Sequence, residues 1–184
     1  MLLEGIDLRM SEEEQTKVRS RLDPALVARV HGLDKLEWLD MADHQHVLEA
    51  MYWGLGKARY VAYYRETARR IFRSRFLRHV AVAGARVFGR SALVRAFPGG
   101  WRLVIRDCGT LQVHRDEGGG VTHMTLSDIP ASVARSDAIR LGTAASIAAA
   151  LDIGGYLGRV QVDPGPVRDR TFEFRVSLVV EPPK

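Results

Sequence analysis

WRLVIRDCGTLQVHRDEGGGVTHMTLSD, residues 101–128, is where the chain changes regime. Before it, apolar residues recur at helical spacing. Within it, Leu103, Ile105, Leu111 and Val113 alternate with Arg102, Arg106, Gln112 and His114, the two-residue period of a strand. Asp116-Glu117-Gly118-Gly119-Gly120 reads as a turn, and Thr122, Met124 and Leu126 carry the alternation into a partner strand. The first β element is therefore expected to run from Trp101, with Pro98-Gly99-Gly100 ending the helical regime. Asp107-Cys108-Gly109 is read as a bulge in one long bent strand rather than a tight turn, glycine being common in both. His114 and His123 then fall on neighbouring strands.

Downstream, Ser136-Asp137 offers a cap for a helix over 137–152. Between Asp137 and Asp152 it is almost entirely Ala, Gly, Ile and Leu, with Arg140 the only charge. A helix apolar nearly all round must be buried nearly all round. Gly154-Gly155 ends it. Tyr156–Val162 reads as a strand, Asp163-Pro164-Gly165-Pro166 as a turn, and Thr171–Val180 as a strand with Phe172, Phe174, Val176, Leu178 and Val180 on one side.

Upstream, Ser11-Glu12-Glu13-Glu14 has the form of a capping box, and residues 1–10 read as a loose lead-in. Pro24 suits the first turn of a second helix ending at Gly32. A third helix is expected over His44–Leu55, with Val47, Leu48, Met51 and Tyr52 on its buried face. A fourth follows over Lys57–Ser74, with a stripe of Val61, Tyr64, Ala68, Ile71 and Phe72, and a fifth over Phe76–Val87. The order of elements gives an α+β fold. An N-terminal helical portion, residues 11–97, packs on a mostly antiparallel sheet of about four or five strands within 98–180, and helix 137–152 crosses between two hairpins. The whole is expected to form one domain.

Composition narrows the function. The chain has 184 residues, 46% of them hydrophobic, enough for a sizeable core. No apolar run approaches the roughly 20 residues of a membrane span. The N-terminus lacks the pattern of a signal peptide. A lone cysteine, Cys108, excludes an internal disulfide and any all-cysteine zinc site. A cytoplasmic location is expected. The net charge is +5, unevenly spread: from Lys57 to Arg90 ten Lys and Arg residues accompany one acid, Glu66.

Two surfaces stand out. Arg65, Arg69 and Arg73 recur every fourth residue, a spacing that forms either a solvated helix face or an exposed ridge for nucleic acid or an acidic protein partner. Trp38, Tyr52, Trp53, Tyr60, Tyr63 and Tyr64 precede it. These aromatics either pack a core or line a cleft, and Tyr52, Tyr60, Tyr64 and Trp101 are the candidate lining of a pocket between the 44–72 helices and the sheet. Chemistry is less well marked. His44 and His46, two apart on a helix, point in different directions and do not converge on a metal. His79 and Cys108 have structural readings, and no Ser-His-Asp set or paired carboxylate stands out. No catalytic residue, metal or cofactor is assigned.

Trp38-Leu39 before a helix, the element around Gly54-Leu55-Gly56, the run Gly100–Gly109 and the Ala/Gly-rich helix before the last hairpin resemble a group of myxobacterial paralogues of about this size. That group is itself similar to 4-vinyl-reductase-like and haem-nitric-oxide-binding-like domains. The resemblance implies helices on an antiparallel sheet, a small-molecule pocket between them, a sensory role and dimerisation. The haem branch carries a Tyr-x-Ser-x-Arg element. Here Tyr156-Leu157-Gly158-Arg159 lacks its serine and its spacing, and the final hairpin lacks the C-terminal cysteines of the other branch. Neither haem nor zinc is carried over.

The functional expectation is a non-catalytic sensory or regulatory module that binds a small apolar ligand or a protein partner. A regulator of nucleic acid or of an acidic partner, acting through the Arg-rich 57–90 segment, is the alternative, and an enzyme ranks last. The apolar surplus on helix 137–152 leads to the expectation of a homodimer, with burial under the N-terminal helices as the other way to cover it.

Overall fold

Local capping decides where the first helices begin. At the head of α1 (Glu12–Arg19), the Ser11 hydroxyl accepts from the Glu14 amide at 3.2 Å and the Glu14 carboxylate accepts from the Ser11 amide at 3.0 Å. In α2 (Pro24–Gly32) the proline sits at the first position, where no N–H is missed. Helix α3 (Met41–Leu55) starts earlier than expected because Asp40, not Asp43, caps it, accepting from the Ala42 amide at 2.8 Å. Gly56, at φ +76, turns the chain directly into α4 (Lys57–Phe72). The computed structural model describes residues 6, 9–32, 39–72, 97–99, 101, 109–115, 121–152, 160–168 and 170–178. The helix expected over 76–87, the first two residues of the bulge expected at 107–109 and the strand start expected at 156 lie outside them.

Two expectations are corrected here. Residues 97–99 and 101 are helical, so Pro98 does not end the helical regime and Trp101 does not begin a strand. Proline is well suited to a first helical turn, and its context rather than its identity set the outcome. Strand β1 runs instead over Thr110–Arg115, and antiparallel β2 over Val121–Ser127. A short helix not foreseen, α5 (Ala131–Arg135), precedes α6 (Asp137–Leu151), which Ser136 caps as expected. Strand β3 (Val160–Arg168) absorbs Asp163-Pro164-Gly165-Pro166, which is not a turn. The register with β4 (Thr171–Leu178) shifts between Pro164 and Val167. The sheet order β1-β2-β4-β3 explains this, because β3 lies at an edge, where proline removes no needed ladder bond.

The fold is α+β, with a four-stranded antiparallel sheet. Leu111, Met124, Leu126, Phe172 and Phe174 bury one face of it; Gln112, His114, His123, Thr125 and Glu173 stand on the other register positions. Burying each phenylalanine fully contributes about 2–3 kcal/mol relative to exposure. His114 and His123 are directly paired and stacked, 4.5 Å between ring centres, and the His114 Nε2 lies 2.9 Å from the Thr125 hydroxyl.

Helix α6 forms the middle layer. It contacts β3 on one side and α3 and α4 on the other, and α1 packs outside α3. Gly54 permits that last crossing, since a Cβ there would meet the Val18 Cγ2 at 2.7 Å and the Val18 backbone at 3.1 Å. From Ala138 to Leu151 ten of the fourteen residues of α6 are buried within this single chain, and Leu141 packs partly buried against the same core. The apolar surplus that led to the expectation of a dimer is therefore covered internally, the other way considered. Among the described residues no helix is long and apolar enough to cross a membrane.

Candidate functional site

Helix α4 presents two chemically different faces, and the site is built on it. The inner face is polar where it meets an otherwise apolar helix. Tyr60, fully buried, donates its hydroxyl to the main-chain carbonyl of Ala138 at 2.8 Å. It reaches that carbonyl because Gly142 has no side chain: a Cβ there would lie 2.8 Å from the Tyr60 Oη. Tyr52 meets Tyr60 edge-on at 5.6 Å, and Tyr64 tilts against Tyr60 at the same separation. Burial pushes both phenols up, Tyr64 to about 12 and Tyr60 further, so both are neutral.

One turn further along, Arg65 closes a two-pronged contact on Asp152, Nη2 to Oδ1 at 2.7 Å and Nε to Oδ2 at 2.9 Å. Arg69 adds a bond from its Nε to Oδ2 at 2.7 Å, with its Nη2 also on that oxygen. The Asp152 side chain is 0% exposed and follows the last turn of α6, where the helix dipole disfavours an anion. Two guanidinium groups offset both the dipole and the loss of water. At the opposite end of α6, the cap Ser136 donates to the Glu49 carboxylate of α3 at 2.8 Å, and Gln45 bonds to the same oxygen. A carboxylate beside a helix N-terminus is favourably placed. Arg140, meanwhile, joins α6 to the Gly165 carbonyl of β3. Helix α6 is thus pinned at both ends to the helical layer and near its start to the sheet.

The outer face of α4 borders a cleft of about 300 Å³ lined by Arg9, Arg59, Tyr63, Glu66 and Arg70. Arg59, Tyr63, Glu66 and Arg70 lie at i, i+4, i+7 and i+11, a spacing that places them along one side of a helix. Arg9 comes from the segment before α1 and is anchored twice: its Nη1 donates to the Thr67 hydroxyl at 2.8 Å, and its carbonyl accepts from the Arg59 Nη2 at 3.2 Å. Arg59 also bonds to Glu14 through its Nε at 2.7 Å, holding that carboxylate below its usual range, and Arg70 donates its Nε to Glu66 at 3.0 Å.

The residues singled out from the sequence are therefore divided. Tyr52, Tyr60 and Tyr64 come together, but α6 lies between α4 and the sheet, and the ring of Tyr60 fits against Gly142 rather than facing open space. Trp101 is half-buried at the margin of the core. Arg65 and Arg69 do not form an exposed ridge, because a buried carboxylate from a distant part of the chain turns them inward; Arg73 lies outside the described residues. The expected stripe is also rotated: Tyr60 and Tyr63 are buried, whereas Ile71 is 53% exposed. Asp152 and the Arg9–Arg59–Arg70 set were missed. The i, i+4, i+7, i+11 spacing was visible in the sequence; the approach of Arg9 was not. Among the described residues, no group of three or more His, Cys, Asp or Glu is placed to hold a metal. Burial pushes His44 below its ordinary range.

No family model matches the sequence, and no curated protein matches it. Among solved structures, the chain is distantly similar to one described as "Probing the function of heme distortion in the H-NOX family". The identity is 11%, the match covers 99% of this chain and 97% of that one, and the TM-score is 0.43.

Proposed function

We propose that this chain is a non-catalytic sensory or regulatory module whose responsive unit is the α4–α6 helix pair. The two-sided character of α4 carries the reading. One side is fastened to α6 by Tyr60, Arg65 and Arg69, and the other borders an open polar cleft. A ligand or protein partner held at the cleft acts on a helix whose far side rests on a buried ion cluster. Such clusters are sharply dependent on geometry, and packed interfaces shift between discrete arrangements rather than deforming continuously. Displacement of α4 is then felt at Asp152 and along α6, which bears on β3. The tyrosine trio is close-packed, so the input is placed at the outer face of α4. Arg65 and Arg69, engaged by Asp152, are not offered to nucleic acid or to an acidic partner.

Hydrogen exchange of the Asp152→Asn variant tests this. The substitution removes the charge that holds both arginines. Faster exchange along both α4 and α6, with protection of the sheet retained, is the expected result. Uniform loss of protection through β1–β4, or no change in α6, would show that the pair is not a separable unit and would overturn the reading.

A further inference from the structure

We infer that the cleft on the outer face of α4 is a binding site for a small polyanion, a ligand presenting two or more negatively charged oxygens on a phosphoryl or polycarboxylate group. The inference deepens the functional reading and rests on it for its consequence, though not for its chemistry.

Three guanidinium groups line the cleft against one carboxylate. Including Glu14, which pairs with Arg59, three positive charges still face two negative ones. The local balance is positive and directed at a concave space, the arrangement that concentrates anions. The guanidiniums are also held in place. Arg9 is tied by its side chain to Thr67 and by its main chain to Arg59, Arg59 is forked onto Glu14, and Arg70 is tethered to Glu66. A guanidinium has five N–H donors, and the bonds described for Arg9 and Arg70 each use a single nitrogen. Both retain nitrogens for charge-assisted bonds to oxygen, and Arg9, anchored through side chain and main chain, offers them at little further cost in ordering. Tyr63, which is buried, also lines the cleft. Burial pushes its phenol up from a value already well above neutral, so it adds no negative charge to the cleft. A volume of about 300 Å³ lies at the lower end of small-ligand sites, which fits a compact anion rather than an extended one.

The two chemical sources are separated by calorimetric titration of the full chain with sodium pyrophosphate and, in parallel, with sodium citrate, at ionic strength held constant with sodium chloride. Saturable binding of one molecule per chain to either probe is expected, and the probe bound more tightly identifies the group recognised. Arg9→Gln combined with Arg70→Gln should weaken it about tenfold or more, since two charge-assisted contacts are lost. Arg70→Gln alone, at an exposed position, should weaken it several-fold and guards against a folding defect at the Arg9 anchor. Arg29→Gln, which removes an equal charge at the distant Asp43 contact, should leave binding unchanged. Absence of saturable binding to both probes would overturn the site, as would equal weakening by Arg29→Gln, the mark of net charge alone. Binding that leaves the hydrogen exchange of α6 unchanged would uphold the site while removing the proposed coupling, so the two readings fail separately.

Discussion

Arg65 and Asp152, 87 positions apart in sequence, meet through two parallel hydrogen bonds of 2.7 and 2.9 Å, and the carboxylate is wholly removed from solvent. Arg69 completes the cluster from the next turn of α4. Deleting one member of a buried ion pair costs more than the pair itself contributes, because the remaining charge loses both water and partner. The arginines here are 27% and 28% exposed, which softens that penalty. Asp152→Ala should therefore cost about 2–3 kcal/mol in urea unfolding. Arg65→Gln and Arg69→Gln should each cost less, and the double variant should depart from additivity because both bonds end on one carboxylate. Additive losses would mean that the two arginines act independently.

Gly142 and Tyr60 provide a second test, one in which two known effects oppose each other. Alanine in the middle of a helix is favoured over glycine by about 1 kcal/mol. A Cβ at position 142, however, would stand 2.8 Å from the Tyr60 hydroxyl oxygen, and overpacking costs about 1–3 kcal/mol. Gly142→Ala should destabilise the wild-type protein by about 1 kcal/mol. In the Tyr60→Phe background the obstructing atom is gone, and the same change should become neutral or stabilising. A double-mutant cycle by thermal or urea unfolding reads the change of sign. Equal destabilisation in both backgrounds would place the obstruction elsewhere.

The third test is a dependence on pH. Burial lowers His44 from its ordinary 6.5, so below that value the unfolded chain takes up a proton that the folded one refuses. Its contribution is fully present above 6.5 and is lost as pH falls toward the depressed folded value. The slope is at most about 1.4 kcal/mol per pH unit. Glu14, lowered by Arg59, and Asp43, lowered by Arg29, lose their contributions in a separate window below their ordinary 4.5 and 3.8. Urea midpoints at about pH 7.5 and about pH 5.5 should fall for wild type and fall less for His44→Gln. Parallel behaviour of the two proteins would assign the loss to other groups.

Much of the architecture is written locally. The Ser11–Glu14 box, Pro24, the run from Lys57, the Ser136 cap and the alternation in residues 110–115, 121–127 and 171–174 each involve neighbours a few positions apart. Their physics therefore acts before the chain has folded. Period and capping specified two hairpins with a helix between them, and the apolar circumference of α6 required that it be buried. What covers α6, and which way α4 turns its arginines, depended on partners that only folding brings together. The spacing of Arg65 and Arg69 describes a shared face; it is the Asp152 carboxylate, at the far end of another helix, that makes the face internal. The same holds for Pro164 and Pro166, whose turn-forming tendency yields because β3 lies at the sheet edge, and for Pro98, which sits within a helical turn. The cleft combines both kinds of information. Its α4 residues follow from helical periodicity, whereas Arg9 joins them through bonds to Thr67 and Arg59, 58 and 50 positions away, contacts that no single stretch of the sequence contains.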